Sequence, residues 1–451
     1  MRNTTIPLAF VFLSACAVIP ERSGVGVDLP LQFAQPGEVT TPAAWWNAFP
    51  EPELETLMQQ AFRNNPGLAV VQARLRAADA SLRGSRADLF PSLNLSATAT
   101  DGFADSTAEA VSQVGLAAAY ELDLWARLRH LRGADLLEAQ ATAQDVETAR
   151  MTLASSVATL WFQIGAARER LALIQSDRQN YEITLKLIEL RFRQGLLSAG
   201  NVLQQRQLLE STRSSEAAAS SELAQLRNAL GEILGGDWRD DWAGASDWQV
   251  PALPRTGVPA ETVMNRPDVQ QAWLRVMAAD HDVAAAIAAR FPQLELSVSY
   301  STTDAGVLQL FDQWIGSLTA SLLGPVFDGG GRRAEVDRQR AVLDQRVAEF
   351  REQTLVAFRE IQDALAAEGA LQKQVASLEQ QQALADAAVQ SLLVQLRNGT
   401  SDFPSLLGAQ VDFSAVKREL LTARQQRIEN RISLYRALAG ALPAAQNDNN
   451  A

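Results

Sequence analysis

Asn64, Pro66, Arg74, Ala77, Ala78, Asp79, Phe90, Pro91, Leu93, Leu95 and Ser96 recur as Asn265, Pro267, Arg275, Ala278, Ala279, Asp280, Phe291, Pro292, Leu294, Leu296 and Ser297, all at one offset of 201. The chain is therefore a tandem duplication. The offset is far longer than the roughly 20–50 residues of a solenoid repeat, so each copy is a large unit and the two are expected to pack as pseudo-equivalents.

Each copy opens with an amphipathic helix beginning at Pro66 or Pro267, since proline suits a first turn that needs no amide hydrogen. After Phe90-Pro91 and Phe291-Pro292 the apolar period changes from helical to two. Leu93, Leu95, Ala97 and Ala99 alternate with polar residues, as do Leu294, Leu296, Val298 and Tyr300. A polar loop leads to a second alternating run, so strand pairs are expected over 91–101 with 111–123 and over 292–303 with 312–323. From Leu124 to Gln194 and from Arg332 to Asn398 there is no proline. Over about 70 residues, at ~1.5 Å each, these stretches predict rods of roughly 100 Å. The second rod carries a coiled-coil spacing through Leu343, Val347, Phe350, Ala357, Ile361 and Leu365. The spacing resumes with a phase shift at Leu371, Val375, Leu378, Ala385, Val389, Leu392 and Leu396. Glycine turns at 194–196 and 398–400 reverse the chain into return helices over 198–234 and 402–442.

The domain layout expected from this pattern is a signal peptide over 1–15, an anchor and linker over 16–50 and a first repeat over 51–234. An irregular Trp- and Pro-rich segment over 235–259, packed outside the rods, precedes a second repeat over 260–442 and a tail over 443–451. The fold class is mainly α with a membrane β-barrel portion: long coiled-coil rods and four strands per chain. The 451 residues carry a net charge of −12, which disfavours nucleic acid and a basic membrane-binding face. Arg2 and the apolar run from Ile6 to Ala15 have the dimensions of a secretory signal, too short for a bilayer. The run ends in Leu13-Ser14-Ala15-Cys16, which resembles a bacterial lipobox. Cys16 is the only cysteine of the chain and cannot form an intramolecular disulfide. Several acyl chains there would anchor the protein firmly in lipid, and Ala17 points to the outer membrane by the same resemblance.

Four membrane-type strands cannot close a barrel, whose smallest examples have about eight. Two copies would supply eight, a bore filled by side chains, so a lumen favours at least a homotrimer. Here the sequence resembles the TolC/OprM-like outer membrane factors of tripartite efflux pumps, in particular their lipoprotein branch. The resemblance rests on Trp45-Trp46-Asn47-Ala48-Phe49 with Pro52-Glu53-Leu54, Asn65-Pro66, Leu89-Phe90-Pro91, Glu121-Leu122-Asp123-Leu124-Trp125, Arg266-Pro267-Asp268, Phe327-Asp328-Gly329-Gly330 and Tyr435-Arg436-Ala437-Leu438. It implies a trimer with a twelve-stranded β-barrel above a twelve-helix α-barrel, partnered by a periplasmic adaptor and an inner-membrane transporter, and no cofactor. It also implies that Gly195-Leu196 and Gly399-Thr400 are the tips that meet the adaptor. The family's acids near the second tip ring the aperture, but Gly408 stands where an Asp is expected. Asp402 is left to supply a reduced ring, or Leu406 and Leu407 to close the pore by apolar packing.

Asp328-Gly329-Gly330-Gly331-Arg332 lacks the spacing and the Lys-Ser/Thr of a phosphate loop, and is read as a sharp turn from strand to rod. His130 and His281, the only histidines, lie among polar helical residues without a partner at metal spacing, and are expected at the surface. The carboxylates along the rods are expected on solvated faces. No catalytic constellation emerges. The leading function is a passive exit duct of an efflux pump. The alternatives are a type I protein-secretion outlet and a structural lipoprotein that spaces the envelope layers.

Overall fold

A computed structural model describes residues 27–33, 44–100, 111–257, 259–304, 313–398 and 400–438. Cys16, the loops at 101–110 and 305–312, Gly399 and the tail beyond 438 lie outside the described residues. A short 3-10 helix, Trp45–Ala48, precedes α1 (Pro52–Asn64) and α2 (Pro66–Ala87). The first strand pair is β1 (Ser92–Thr100) and β2 (Val111–Leu122), followed by the rod α3 (Arg127–Arg193) and its return helix α4 (Ala199–Ile233). The second copy runs α5 (Pro259–Met264), α6 (Pro267–Ala288), β3 (Gln293–Asp304), β4 (Ile315–Leu323), the rod α7 (Gly331–Arg397) and α8 (Phe403–Leu438). Both rods are 67 residues long and both leading helices 22. At ~1.5 Å per residue each rod spans about 100 Å.

The local causes are visible at the junctions. The Asn65 side chain accepts from the Leu68 amide at 2.9 Å and caps α2, whereas its counterpart Arg266 makes no cap. Arg266 is buried instead, paired with Asp268 at 2.6 Å and Glu360 at 2.8 Å, which ties the start of α6 to the second rod. Strand turns into rod differently in the two copies. After β4, Gly329 and Gly330 take φ of +61° and +89°, and Asp328 accepts the Gly330 and Arg332 amides. These backbone donors hold the Asp328 carboxyl below its ordinary value. After β2, Asp123 accepts the Leu128 and Arg129 amides, and Ala126 takes φ +64° where the second copy has Gly330. An L-residue in that region stores about 1–2 kcal/mol of strain.

The two strand pairs join into one antiparallel sheet in the order β1-β2-β3-β4, with β2 against β3 across the repeat boundary. The register aligns Leu95 with Leu116, Leu116 with Tyr300, Ala118 with Val298 and Val298 with Leu318. One face is consequently apolar across all four strands, and it is solvent-exposed within the chain. The opposite face carries Ser96, Gly115, Ser299, Ser301, Ser317 and Thr319, with the Ser299 and Ser317 hydroxyls 2.8 Å apart. None of the described helices is long and apolar enough to cross a membrane.

Below the sheet the helices form one packed body with its main core at mid-height. Trp45 is fully buried and stacks on Tyr435 at 5.7 Å, and Phe49 meets Phe162 at 5.2 Å. The N-terminal Trp-Trp motif is thereby a plug between α3 and α8. Glu51 accepts the Ser246 and Asp247 amides and the Trp161 indole N–H. It binds the irregular 235–257 segment to that plug. The segment crosses α3 at Gly165, where an added Cβ would lie 2.1 Å from the Ala245 carbonyl oxygen. Along α7, Leu343, Phe350, Ile361 and Leu365 share one cluster with α6 and α8. Val375 and Leu378 then pack on Leu420 and Ala423, and Val389 and Leu396 join the tip. The change of partner falls at the phase shift in the heptads.

Candidate functional site: the sheet wall and the rod tips

Two regions carry features of a duct: the sheet at one end of the rods and the turns at the other. β1 and β4 have unpaired outer edges among the described residues. Exposed edges bearing Leu93, Leu95, Leu318 and Leu322 on a long apolar face are an association hazard unless they are paired and the face is covered. A face of Leu, Val and Ala opposite one of Ser and Thr suits a wall between lipid and water. At the base of the sheet Trp125 stacks on Phe291 at 4.8 Å and donates to the Pro292 carbonyl at 2.7 Å.

At the far end, α3 stops in a Schellman turn. The Leu196 amide reaches back to the Arg191 carbonyl at 3.0 Å and the Gly195 amide to Phe192 at 2.9 Å, with Gly195 at φ +73°. No atom lies within 4 Å of a Cβ built on Gly195, and Leu196 is two-thirds exposed. Ser198 and Asn201 then form a capping box that starts α4. The second tip repeats the closure, the Thr400 amide donating to the Gln395 carbonyl at 2.9 Å and its hydroxyl at 3.2 Å. Gly399 itself lies outside the described residues. Asp402 is the N-cap of α8: its Oδ1 accepts the Ser405 amide at 2.9 Å, and bonding to Ser405 lowers its pKa.

Leu406 requires a correction. It is 2% exposed and packs inside the chain's own tip cluster with Ile188, Val202, Val389, Leu396 and Phe403. It is therefore not free to line an aperture, whereas Leu407, one position on, is half-buried at the rim of that cluster. The four helix ends compete for a core, and the residue nearest Phe403 is drawn in.

Two further corrections concern charge. Asp177 on α3 and Glu368 on α7 are 4% and 5% exposed rather than solvated. Asp177 meets Lys417 at 3.5 Å and Arg418 at 3.3 Å on α8, one turn from Tyr181, whose hydroxyl lies 3.5 Å from Ser414. Burial pushes the Tyr181 pKa up. Glu368 meets the buried Arg431 at 2.7 Å, and Arg431 also donates to the Pro251 carbonyl. These links join helices from distant parts of the chain, and a heptad count does not show which carboxylate faces a partner. The histidines are the third surprise: His130 and His281 are not separate surface residues but lie with their Nδ1 atoms 3.0 Å apart. No group of three or more His, Cys, Asp or Glu side chains able to hold a metal occurs among the described residues.

Residues 57–236 and 258–440, the two repeats, match the model of the family described as outer membrane efflux protein. The chain belongs to that family. It is 29% identical to the pyoverdine export outer membrane protein OpmQ of Pseudomonas aeruginosa, over 98% of this chain and 97% of that one. It is 32% identical to the outer membrane protein OprJ of the same species, over 88% and 86% of the two chains. The cation efflux system protein CusC of Escherichia coli is 29% identical over 95% and 97%. A crystal structure of CusC, described in terms of transmembrane channel formation, superposes with a TM-score of 0.79 at 27% identity, over 92% and 97% of the chains. The protein is thus an outer membrane efflux channel of the TolC/OprM type, with its helical body extending into the periplasm.

Proposed function

We propose that three copies close the channel, β4 of each protomer pairing with β1 of the next to give twelve strands around a water-filled bore. The observation that carries this reading is the sheet. It has one continuous apolar face, one hydroxyl-rich face and two open edges, and a single chain of four strands is too narrow to close. The homotrimer acts as a passive exit duct: small molecules are handed to it by an inner-membrane transporter through a periplasmic adaptor, and it needs no cofactor and performs no catalysis. Cys16 carries the lipid that holds the N-terminus in the outer membrane. The turns at Gly195-Leu196 and Gly399-Thr400 are where the adaptor docks, and Asp402 and Leu407 border the aperture.

The cargo is not fixed by the duct. Relatives of nearly equal identity carry names that speak of pyoverdine, of solvent and of cations, so selection lies elsewhere in such systems. The test is conductance of the purified full-length protein in planar bilayers, beside its mass in detergent. Stepwise channels from a trimer are expected. A monomer, or a trimer that never conducts even with the tips opened by mutation, overturns the reading in favour of an envelope spacer.

A further inference from the structure

The His130–His281 contact belongs neither to the sheet wall nor to the tips. It joins α3, one turn below β2, to α6 of the other repeat. The ring centroids are 5.3 Å apart and the ring planes 48° from each other. The centroids exceed the 3.0 Å nitrogen separation by about two ring radii, so the Nδ1 atoms face each other along the line between the rings. A metal at about 2.0–2.1 Å from both nitrogens would sit off that line, where the lone pairs do not converge. The arrangement fits one shared proton, with one Nδ1–H donating and the other Nδ1 accepting. Gly133 makes the room: a Cβ there would lie 2.9 Å from Cε1 and Nδ1 of His281.

Such a pair tolerates the neutral state and a single added proton, but not two protonated rings, which would aim two N–H groups at each other. We propose that His130 and His281 form a proton-operated clasp between the first rod and the leading helix of the second repeat, closed at neutral pH and released as the periplasm acidifies. The charges around it come from Arg129 on α3 and Asp123 in the turn before it, and from Asp280 on α6. Asp282, next to His281, faces Asp135 and Glu138 of α3 and Arg338 of α7. Burial, then the neighbouring His281, hold the His130 pKa below its ordinary value, against the pull of Asp123 and Asp280. A histidine with a depressed folded pKa stabilises fully above its unfolded value, about 6.5, and loses that contribution as the pH falls below it. Asp282, pushed up by burial and then by Asp135, works in the opposite sense: it gains stability as the pH falls through its raised folded pKa towards the ordinary carboxylate value, so only the difference between wild type and the histidine variants reports the clasp. At the repeat-equivalent positions stand Ala80 on α2 and Ala334 on α7, so the histidine pair is not duplicated between the two repeats.

The test uses the purified full-length channel in detergent, with its Tm followed from pH 8 to pH 5 for wild type, His130→Gln and His281→Gln. Wild type is expected to lose about 2 °C or more beyond either variant between pH 7 and pH 5.5. Its bilayer conductance should show a step over the same interval that both variants lack. Gly133→Ala keeps both histidines but pushes them apart, and should abolish the pH step as well, which covers the case of a Gln variant that does not fold. Identical pH profiles in all four proteins overturn the clasp. So does a Tm raised by zinc in wild type but in neither Gln variant, which would make the pair a metal site.

Discussion

Replacing Asp177 by Asn removes a buried carboxylate that ties α3 to α8 in the half of the molecule nearer the tips. The Asp177 side chain is 6% exposed, and its partners Lys417 and Arg418 are 16% and 40% exposed. At an effective dielectric of about 20, a pair at these distances attracts by roughly 5 kcal/mol before desolvation. The desolvation of so buried a carboxylate cancels most of that. Arg418 is exposed enough that its share falls within about 0–1 kcal/mol. Lys417 dominates, because it loses its anion while still largely buried, although its ammonium keeps the Phe413 ring at 4.6 Å. The net loss is about 2 kcal/mol per protomer, in the range expected for breaking a partly buried pair. Asp177→Asn should therefore lower the Tm by a few degrees and raise resting conductance, since α8 would be freed from α3 where the rods approach the aperture. Asp177→Asn with Lys417→Met should recover part of the loss, because no buried cation is then left unpaired. A variant that keeps wild-type Tm and conductance would refute the claim that this pair holds the two coils together.

Ala126→Gly, at φ +64°, should stabilise the chain by up to about 1 kcal/mol, strain relief outweighing the added chain entropy, as a Tm scan would show. Cys16→Ser with its signal intact should lose palmitate labelling, and unchanged incorporation would sink the lipid anchor. Gly195→Trp should abolish efflux in a resistance assay while trimer and insertion persist, because its Cβ meets nothing in the chain and the surface is left for a partner. Leu407→Ser should raise resting conductance with little loss of stability. Leu406→Ser should instead cost about 2–4 kcal/mol by emptying a packed site, a distinction visible by comparing Tm with conductance.

The fold class was legible because its signals are repeated. One offset links the two copies, the apolar period changes from 3.6 to 2 at the same proline in each, and two long stretches lack proline. The pairing of β2 with β3 was not legible, since alternation fixes which face a residue occupies but not which strand lies beside it. The tip turns were marked by glycine and by the resemblance, yet the fate of Leu406 depends on how four helix ends share one core. Asp177, Glu368 and the histidine pair were hidden for a common reason. Each acts across elements far apart in sequence, 151 residues in the case of His130 and His281, and a single helix face looks equally polar with or without a partner.

A duplicated chain that closes a tube builds two kinds of seam, and the copies have diverged where a seam must do something particular. The turn into the rod uses two left-handed glycines in one copy and a strained alanine in the other. The start of the leading helix is an Asn cap in one and a buried Arg-Asp-Glu cluster in the other. Beneath the sheet, the seam of α3 with α6 holds two histidines where the equivalent positions are alanine. The lengths, by contrast, are matched, with rods of 67 residues and leading helices of 22 in both copies. Length has to agree because rods of unequal rise would leave a tube with a stepped rim, whereas each junction is local and can be solved by different chemistry. Differences between the copies should thus concentrate at junctions and seams, and a variant that makes the seams alike, His130→Ala with His281→Ala, should leave the tube intact and remove only its response to acid.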